Sequence, residues 1–297
     1  MNQNFKSLLM SMRPKQARTI AIANAIDANA LQSVLIAKQM GFATAILCGP
    51  KTKIQKIAQE NNIDISDFEI INCDTELDAA KTAVSLAREN RADIVMKGLI
   101  HTADVLRAAL NRETGIRKEK ILSHTSVMYS PKQNRTLFLT DMAMVTYPDL
   151  ETKIQMVKNT VKLARAMGVE TPRVAPVCAV ETINPAMQPT LDAEELRKMN
   201  ENHQITGCLI SGPMGLDVAI SEQAAKIKGI TGPVTGNADV LLFANIEAGN
   251  NTVKSMVHFG DWIFGGVVIG AKVPIIINSR SDDEISKLFS IACACMV

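Results

Sequence analysis

Residues 272–297 read KVPIIINSRSDDEISKLFSIACACMV, and they decide the fold class. The apolar run 273–278 predicts a buried β-strand, and the apolar residues from Ile285 to Met296 recur at helical spacing. A strand that leads into a helix is a building block of α/β folds, and the free N–H groups at such a helix start attract anions. Ligands of open α/β sheets also collect at this end of the strands. The polar segment 279–284 is therefore a candidate ligand site.

This polar segment has two explanations. Ser281 and Glu284 have the spacing of a capping box, in which both side chains satisfy free helix N–H groups. Arg280 does not fit that explanation, because a cation at the positive end of a helix is unfavourable without an anion. The capping and the ligand explanations both stay open for Ser281 and Glu284.

The rest of the chain alternates strand and helix patterns, which predicts a mostly parallel sheet with helices on both faces. The predicted strands are 18–23, 43–48, 68–72, 93–96, 174–180, 208–211, 240–243 and 264–269, and the helices are 31–40, 53–61, 76–89, 102–110 and 151–167. Runs at 126–129 and 136–139, joined by 131–134, predict a hairpin. We predict two α/β domains with a cleft between them. The first is 1–140 plus 272–297, and the second is 141–271.

Composition excludes several classes. A net charge of +2 and 4% aromatic residues give no sign of a nucleic-acid surface. The six cysteines form no CxxC pair, which is typical of a reduced cytoplasmic protein. The sequence shows neither a signal peptide nor an apolar run of membrane-spanning length. We therefore expect a cytoplasmic protein without a membrane or nucleic-acid partner.

Familiar phosphate and acyl-serine signatures, GxxxxGK[ST], GxGxxG after a strand and GxSxG, are missing from the sequence. Metal-ligand spacing is missing too, and the scattered histidines are interpreted as structural. Lys97, Thr102 and Arg107 accompany the start of the helix predicted at 102–110. They indicate either an anion site or a solvated helix face.

Seven pieces of the chain resemble, in the same order, the phosphate acetyl/butyryltransferase family, and most closely its butyryltransferase branch. They are MKG (96–98) with HTADVLR (101–107), NPAMQ (184–188), GP (212–213) with LDVA (216–219), GNADV (236–240), IEAGN (246–250), GGVVIGAK (265–272) and SR (279–280). The resemblance implies the isocitrate/isopropylmalate dehydrogenase fold, with the active site in the cleft. It also implies reversible acyl transfer between coenzyme A and inorganic phosphate.

The resemblance implies roles for particular residues. Ser279 would bind the thiol sulfur or the oxyanion, Arg280 would bind phosphate, and Asp282 would be the base that takes the thiol proton. At this position the acetyltransferase branch has a sequence similar to Ser-Arg-Gly-Cys, whereas this chain has Ser-Arg-Ser-Asp-Asp at 279–283. This difference favours the butyryl branch and leaves Asp283 as an alternative base. Lys97, Thr102, Arg107 and Asp283 are the candidate substrate-binding residues.

The same resemblance implies substrates and partners. By itself it does not exclude the alternative functions given at the end of this paragraph. It implies acyl-CoA or CoA and phosphate or acyl phosphate as substrates, no tightly bound cofactor, no metal, and a homo-oligomer. Phosphate acetyltransferase is the alternative activity. A decarboxylating 2-hydroxyacid dehydrogenase would need clustered aspartates for a divalent cation and a nicotinamide site. The sequence shows neither pattern, and Asp141 and Asp239 are the aspartates left open for this alternative. A two-lobed, non-catalytic small-ligand binding protein is the alternative of another class.

Overall fold

The computed structural model of the chain describes residues 2–280 and 282–297. These residues form two compact units. Unit 1 runs to Lys120 and includes Ile263–Val297, and unit 2 is Ile121–Trp262. No helix in the described part of the chain is both long enough and apolar enough to span a membrane.

The elements alternate along the chain as an α/β fold requires. The helices are α1 Gln3–Ser11, α2 Ala28–Gln39, α3 Lys51–Glu60, α4 Glu76–Arg88, α5 Thr102–Leu110, α6 Leu150–Ala166, α7 Gln188–Glu201, α8 Leu216–Ile220, α9 Glu222–Lys228, α10 Ile246–Gly260 and α11 Glu284–Cys295. The strands are β1 Arg18–Ala23, β2 Ala43–Gly49, β3 Glu69–Asn72, β4 Ile94–Lys97, β5 Ser123–Ser130, β6 Arg135–Thr140, β7 Arg173–Pro176, β8 Leu209–Ile210, β9 Val240–Leu242, β10 Ile263–Ile269 and β11 Ile275–Ile276.

Unit 1 is built on strands in the order β3-β2-β1-β4-β11-β10. They are parallel except for β10, which runs antiparallel to β11. Ile20 and Ile22 of β1 have no exposed surface, because a parallel sheet is covered on both faces. Helix α11 contacts β10 and α2, and Leu288 and Phe289 on it are also fully buried. This packing holds the end of the chain, with its polar segment, against the sheet.

Unit 2 has the strand order β5-β6-β9-β7-β8. The predicted hairpin is confirmed, because β5 and β6 pair antiparallel, while β9, β7 and β8 continue from β6 in parallel. Helix α6 covers β5, β6 and β9. The hairpin lies in unit 2, where β6 pairs with β9, and the domain boundaries given above remain a prediction.

The predicted mixed α/β fold is confirmed. Helix α10 was not predicted from the sequence. Its sequence opens with Ile246-Glu247-Ala248-Gly249-Asn250, and glycine and asparagine are poor helix formers. Gly249 is needed there because a Cβ atom would meet the carbonyl oxygen of Asp141 at 2.4 Å. Close backbone packing in unit 2 therefore overrides helix propensity at this position.

Candidate active site at the carboxyl ends of β4 and β11

Two neighbouring parallel strands of unit 1 bring the candidate residues together. Ile276 of β11 is paired with Met96 of β4, so both strands end at the same edge of the sheet. An open pocket of about 320 Å³ lies at this edge, as expected for ligand sites of α/β sheets. Its lining residues are Lys97, Ile100, His101, Thr102, Asn278, Ser279 and Arg280.

Lys97 supplies a buried cation to the pocket. Only 5% of its surface is exposed, and Nζ donates a hydrogen bond of 3.1 Å to the carbonyl oxygen of Gly98. Burial lowers the pKa of Lys97, since desolvation disfavours the ammonium. Asp27 and Asp282 act against this shift, and Arg280 and Lys287 reinforce it. Three cations within electrostatic reach of one pocket favour the binding of an anion.

The polar segment folds back on itself through Asp282. Its Oδ2 accepts hydrogen bonds of 2.9 Å from the Ser279 N–H and from Nδ2 of Asn278. The Asp282 N–H donates to the Ser279 carbonyl oxygen at 3.2 Å. We call Ser279, Arg280 and Asp282 the Ser-Arg segment. Its hydrogen bonds hold Ser279 beside the pocket, and Asp282 lies next to Ser279 rather than at the helix start.

Helix capping belongs to Asp283. Helix α11 begins at Glu284, and the Asp283 carboxylate accepts a hydrogen bond of 2.8 Å from the Ser286 N–H. The capping-box explanation is wrong for Glu284, because Glu284 is the first helical residue and not the third. Ser281, its other member, lies outside the described residues. Asp283 is exposed and is not among the residues that line the pocket.

The first residue of helix α5 lines the pocket, whereas Arg107 in its last turn does not. Thr102 is the first residue of α5 and lines the pocket, so the positive end of the helix dipole lies there. Arg107 belongs to the last turn. Its guanidinium reaches back to Asp104 at 2.6 Å, and 71% of the side chain is exposed. The structure thus gathers Lys97, Thr102, Ser279 and Arg280 around the pocket, with Asp282 behind Ser279 and Arg107 outside the lining.

Comparison with known proteins assigns the chain to a family. Residues 74–295 match the family model described as phosphate acetyl/butaryl transferase. The chain belongs to this family. Its members are acyltransferases, so the chain is an acyltransferase enzyme.

Individual relatives cover nearly the whole chain. It is 46% identical over 297 residues to a phosphate butyryltransferase of Clostridium acetobutylicum, and the alignment covers 100% of this chain and 99% of that protein. It is 37% identical to a phosphate acetyltransferase of Rhizobium meliloti, covering 98% of this chain and 92% of that protein. A crystal structure of a branched-chain phosphotransacylase from Enterococcus faecalis has a TM-score of 0.84 at 32% identity, covering 94% and 98% of the two chains. The phosphotransacylase assignment therefore rests on both sequence and fold.

The contacts of Asp141 and Asp239, the two aspartates considered for the dehydrogenase alternative, also agree with family membership. In unit 2, Asp239 forms a two-point pair with Arg173 at 2.9 and 3.0 Å. Asp141 accepts hydrogen bonds from the backbone N–H groups of His124 and Ala143, both at 2.7 Å. Both carboxylates therefore support backbone and side-chain structure within unit 2, and the phosphate acyltransferase family replaces the dehydrogenase alternative.

Two charged residues behind the pocket were not predicted from the sequence. Lys287 is 1% exposed and stands among the apolar residues of α11. Asp27 caps α2 by accepting a hydrogen bond of 3.1 Å from the Ala30 N–H. A lysine in an apolar helix is the one usable signal, because buried lysines are rare without a partner. Asp27 comes from a distant part of the chain and carries no local signal.

Proposed function

We propose that this chain transfers a butyryl group reversibly between coenzyme A and inorganic phosphate. The observation that carries the proposal is the pocket at the carboxyl ends of β4 and β11, where Lys97 and Arg280 accompany Ser279. The likeness to phosphate butyryltransferases supports the choice of acyl group. Phosphate acetyltransferase remains the alternative, since members with that name are also close relatives. A non-catalytic binding protein is not compatible with the family.

The proposed phosphate site combines two cations with a helix start. Arg280 offers up to five N–H donors in a planar fork that suits two phosphoryl oxygens. Lys97 adds a buried ammonium, and Thr102 places the start of α5 at the same pocket. Binding of a phosphate dianion would compensate the repulsion that Arg280 and Lys287 exert on Lys97. The arrangement therefore favours a doubly charged, oxygen-rich ligand.

The proposed reaction begins with a thiol that must lose its proton. Asp282 accepts the proton from the CoA sulfur, and the resulting thiolate attacks the carbonyl carbon of butyryl phosphate. The new C–S bond produces a tetrahedral oxyanion, to which Ser279 donates a hydrogen bond. The C–O bond to phosphate then breaks, and Arg280 holds the departing phosphate. Among the described residues, the hydrogen bonds to the Asp282 carboxylate go to Oδ2, so Oδ1 is our candidate proton acceptor.

Of the two remaining candidates for substrate binding, we propose that role for Arg107 and keep Asp283 only as the alternative base. Arg107 is exposed in the last turn of α5, and its charge suits the phosphate groups of coenzyme A better than the reacting phosphate. Asp283 caps α11, and a capping role alone explains its contacts. Asp283 is therefore the weaker alternative to Asp282 as the base.

A thiol-release assay tests the proposed activity. The protein is incubated with butyryl-CoA, and free CoA is followed with a thiol reagent before and after inorganic phosphate is added. We expect release only with phosphate, because phosphate is the acyl acceptor. Release at the same rate without phosphate would indicate a thioesterase, and no release with any short acyl-CoA would refute the proposal.

We predict a preference for four-carbon acyl groups, straight or branched, over acetyl. One methylene in an apolar pocket is worth about 1–3 kcal/mol, so two methylenes permit a large ratio of kcat/KM. The measurement compares kcat/KM for acetyl-, butyryl- and isobutyryl-CoA at saturating phosphate. A higher kcat/KM for acetyl-CoA would move the assignment to phosphate acetyltransferase while keeping the family.

We also propose that the protein works as a homo-oligomer, at least a dimer, in the cytoplasm, with CoA as a substrate and no tightly bound cofactor. Family resemblance supports these points. Light scattering at micromolar concentration should give at least twice the chain mass of 32.2 kDa, and a monomer mass would contradict the prediction. The relation to the isocitrate/isopropylmalate dehydrogenase fold is likewise our proposal, supported by the alternating α/β order in each unit.

A further inference from the structure

Lys287 is a buried cation to which the proposed chemistry gives no role. It lies at the end of the first turn of α11, and only 1% of its surface is exposed. A cation near a helix N-terminus opposes the helix dipole, and burying an ammonium is costly unless its donors find partners. Helix stability alone therefore does not account for a lysine at this position.

The contacts of Lys287 converge on the Ser-Arg segment. Its Nζ donates to the carbonyl oxygen of Asp282 at 2.6 Å and to that of Ser279 at 3.5 Å. The Asp27 carboxylate lies 3.9 Å from the same Nζ. An ammonium has three donors and no acceptor, which matches two carbonyl groups and one carboxylate. Asn29 supports the arrangement with a longer contact of 3.4 Å to the Asp282 carbonyl oxygen.

We infer that Lys287 is a positioning residue for acyl transfer, whose ammonium holds the backbone carbonyls of Ser279 and Asp282 so that Ser279 and Arg280 stay at the pocket. This inference rests on the proposed function. Lys287 is not among the residues lining the pocket, so it acts through the Ser-Arg segment and not on substrate. Asp27 balances its charge from the start of α2.

Anchoring of this kind adds to the hydrogen bonds that the Asp282 carboxylate accepts within the segment. Arg280 is exposed, and the segment connects a two-residue strand to a helix. A misplacement of about 1 Å in a reacting group lowers the rate by about 10²-fold. Loss of the ammonium also removes one positive charge near Lys97.

Lys287→Met tests the inference, with Lys153→Met as its matched control. Lys153 is also a buried lysine, 5% exposed, but it belongs to unit 2, where it pairs with Asp192 at 2.5 Å. We expect about 10²-fold lower kcat/KM for folded Lys287→Met, by the cost of misplacing a reacting group. Lys153→Met should lower Tm and leave the turnover of its folded fraction unchanged.

Two readouts separate positioning from general destabilisation. Trypsin cleavage after Arg280 should accelerate in Lys287→Met, relative to cleavage after the exposed Arg112, because the segment loses its anchor. In a double-mutant cycle, Lys287→Met should cost much less activity when Arg280 is already alanine, since residues that act together are not additive. General destabilisation predicts accelerated cleavage at both sites and additive losses.

The outcomes distinguish this inference from the proposed function. Absence of phosphate-dependent thiol release by the unmodified protein refutes the function and the inference with it. An active unmodified protein and a folded Lys287→Met with the same kcat/KM and the same cleavage after Arg280 overturn the inference alone. If Lys287→Met does not fold, Lys287→Gln replaces it. Its shorter, uncharged side chain cannot reach both carbonyls, so a folded Lys287→Gln with unchanged kcat/KM and cleavage overturns the inference equally.

Discussion

Arg280→Ala should lower kcat by about 10²–10³-fold, roughly 3–4 kcal/mol of transition-state stabilisation, which is the cost of losing one oxyanion donor in other enzymes. The reason is that Arg280 lines the pocket and is proposed to hold the phosphate as the C–O bond breaks. The KM for phosphate should rise as well, because the same contacts exist in the bound ground state. Steady-state kinetics in the direction of butyryl phosphate synthesis measure both values.

The stability of Arg280→Ala separates this explanation from a structural one. Arg280 is exposed, and loss of an exposed side chain changes stability by about 0.5 kcal/mol or less. Arg91→Ala is the matched control, since Arg91 is an exposed arginine of unit 1 that pairs with Glu69 at 3.0 Å. Arg91→Ala should keep normal turnover. Normal turnover in Arg280→Ala would show that the ends of β4 and β11 do not form the phosphate site.

Local patterns predicted much of unit 1. Strand β1 and helix α5 have the same bounds in the structure as in the prediction, because apolar periodicity is strong in both. The site edge was also predictable, since parallel strands place their carboxyl ends together. Arg280 was found because a cation is unfavourable at a helix start, whereas the roles of Ser279 and Asp282 came from family resemblance.

Contacts between distant parts of the chain could not be predicted in this way. The approach of Asp27 to Lys287 joins the start of α2 to the first turn of α11, and one sequence carries no record of such a pairing. The same holds for Gly249, whose need for space comes from the backbone of Asp141. The candidate residues that line the pocket were therefore predictable from the sequence, and the charged residues behind them were not.

Asp282→Asn should lose most activity near neutral pH and recover part of it at alkaline pH. A thiol has a pKa near 8.5, so the thiolate fraction rises with pH and the need for a base falls. An asparagine oxygen can still accept the hydrogen bonds that the Ser279 N–H and the Asn278 side chain donate to Oδ2. The substitution therefore removes the base while it keeps the segment in place. The measurement is kcat/KM for CoA and butyryl phosphate as a function of pH.

Asp283→Asn is the control for this experiment, because it changes the neighbouring carboxylate in the same way. Asparagine is as good an N-cap as aspartate, so the hydrogen bond from the Ser286 N–H should survive and both Tm and activity should stay near normal. Asp283→Ala should lower stability by about 1 kcal/mol, the usual cost of losing an N-cap, with normal turnover of the folded protein. If Asp283→Asn were the inactive variant and Asp282→Asn the active one, Asp283 would be the base. Asp282 would then act only as the residue that folds the Ser-Arg segment back on itself.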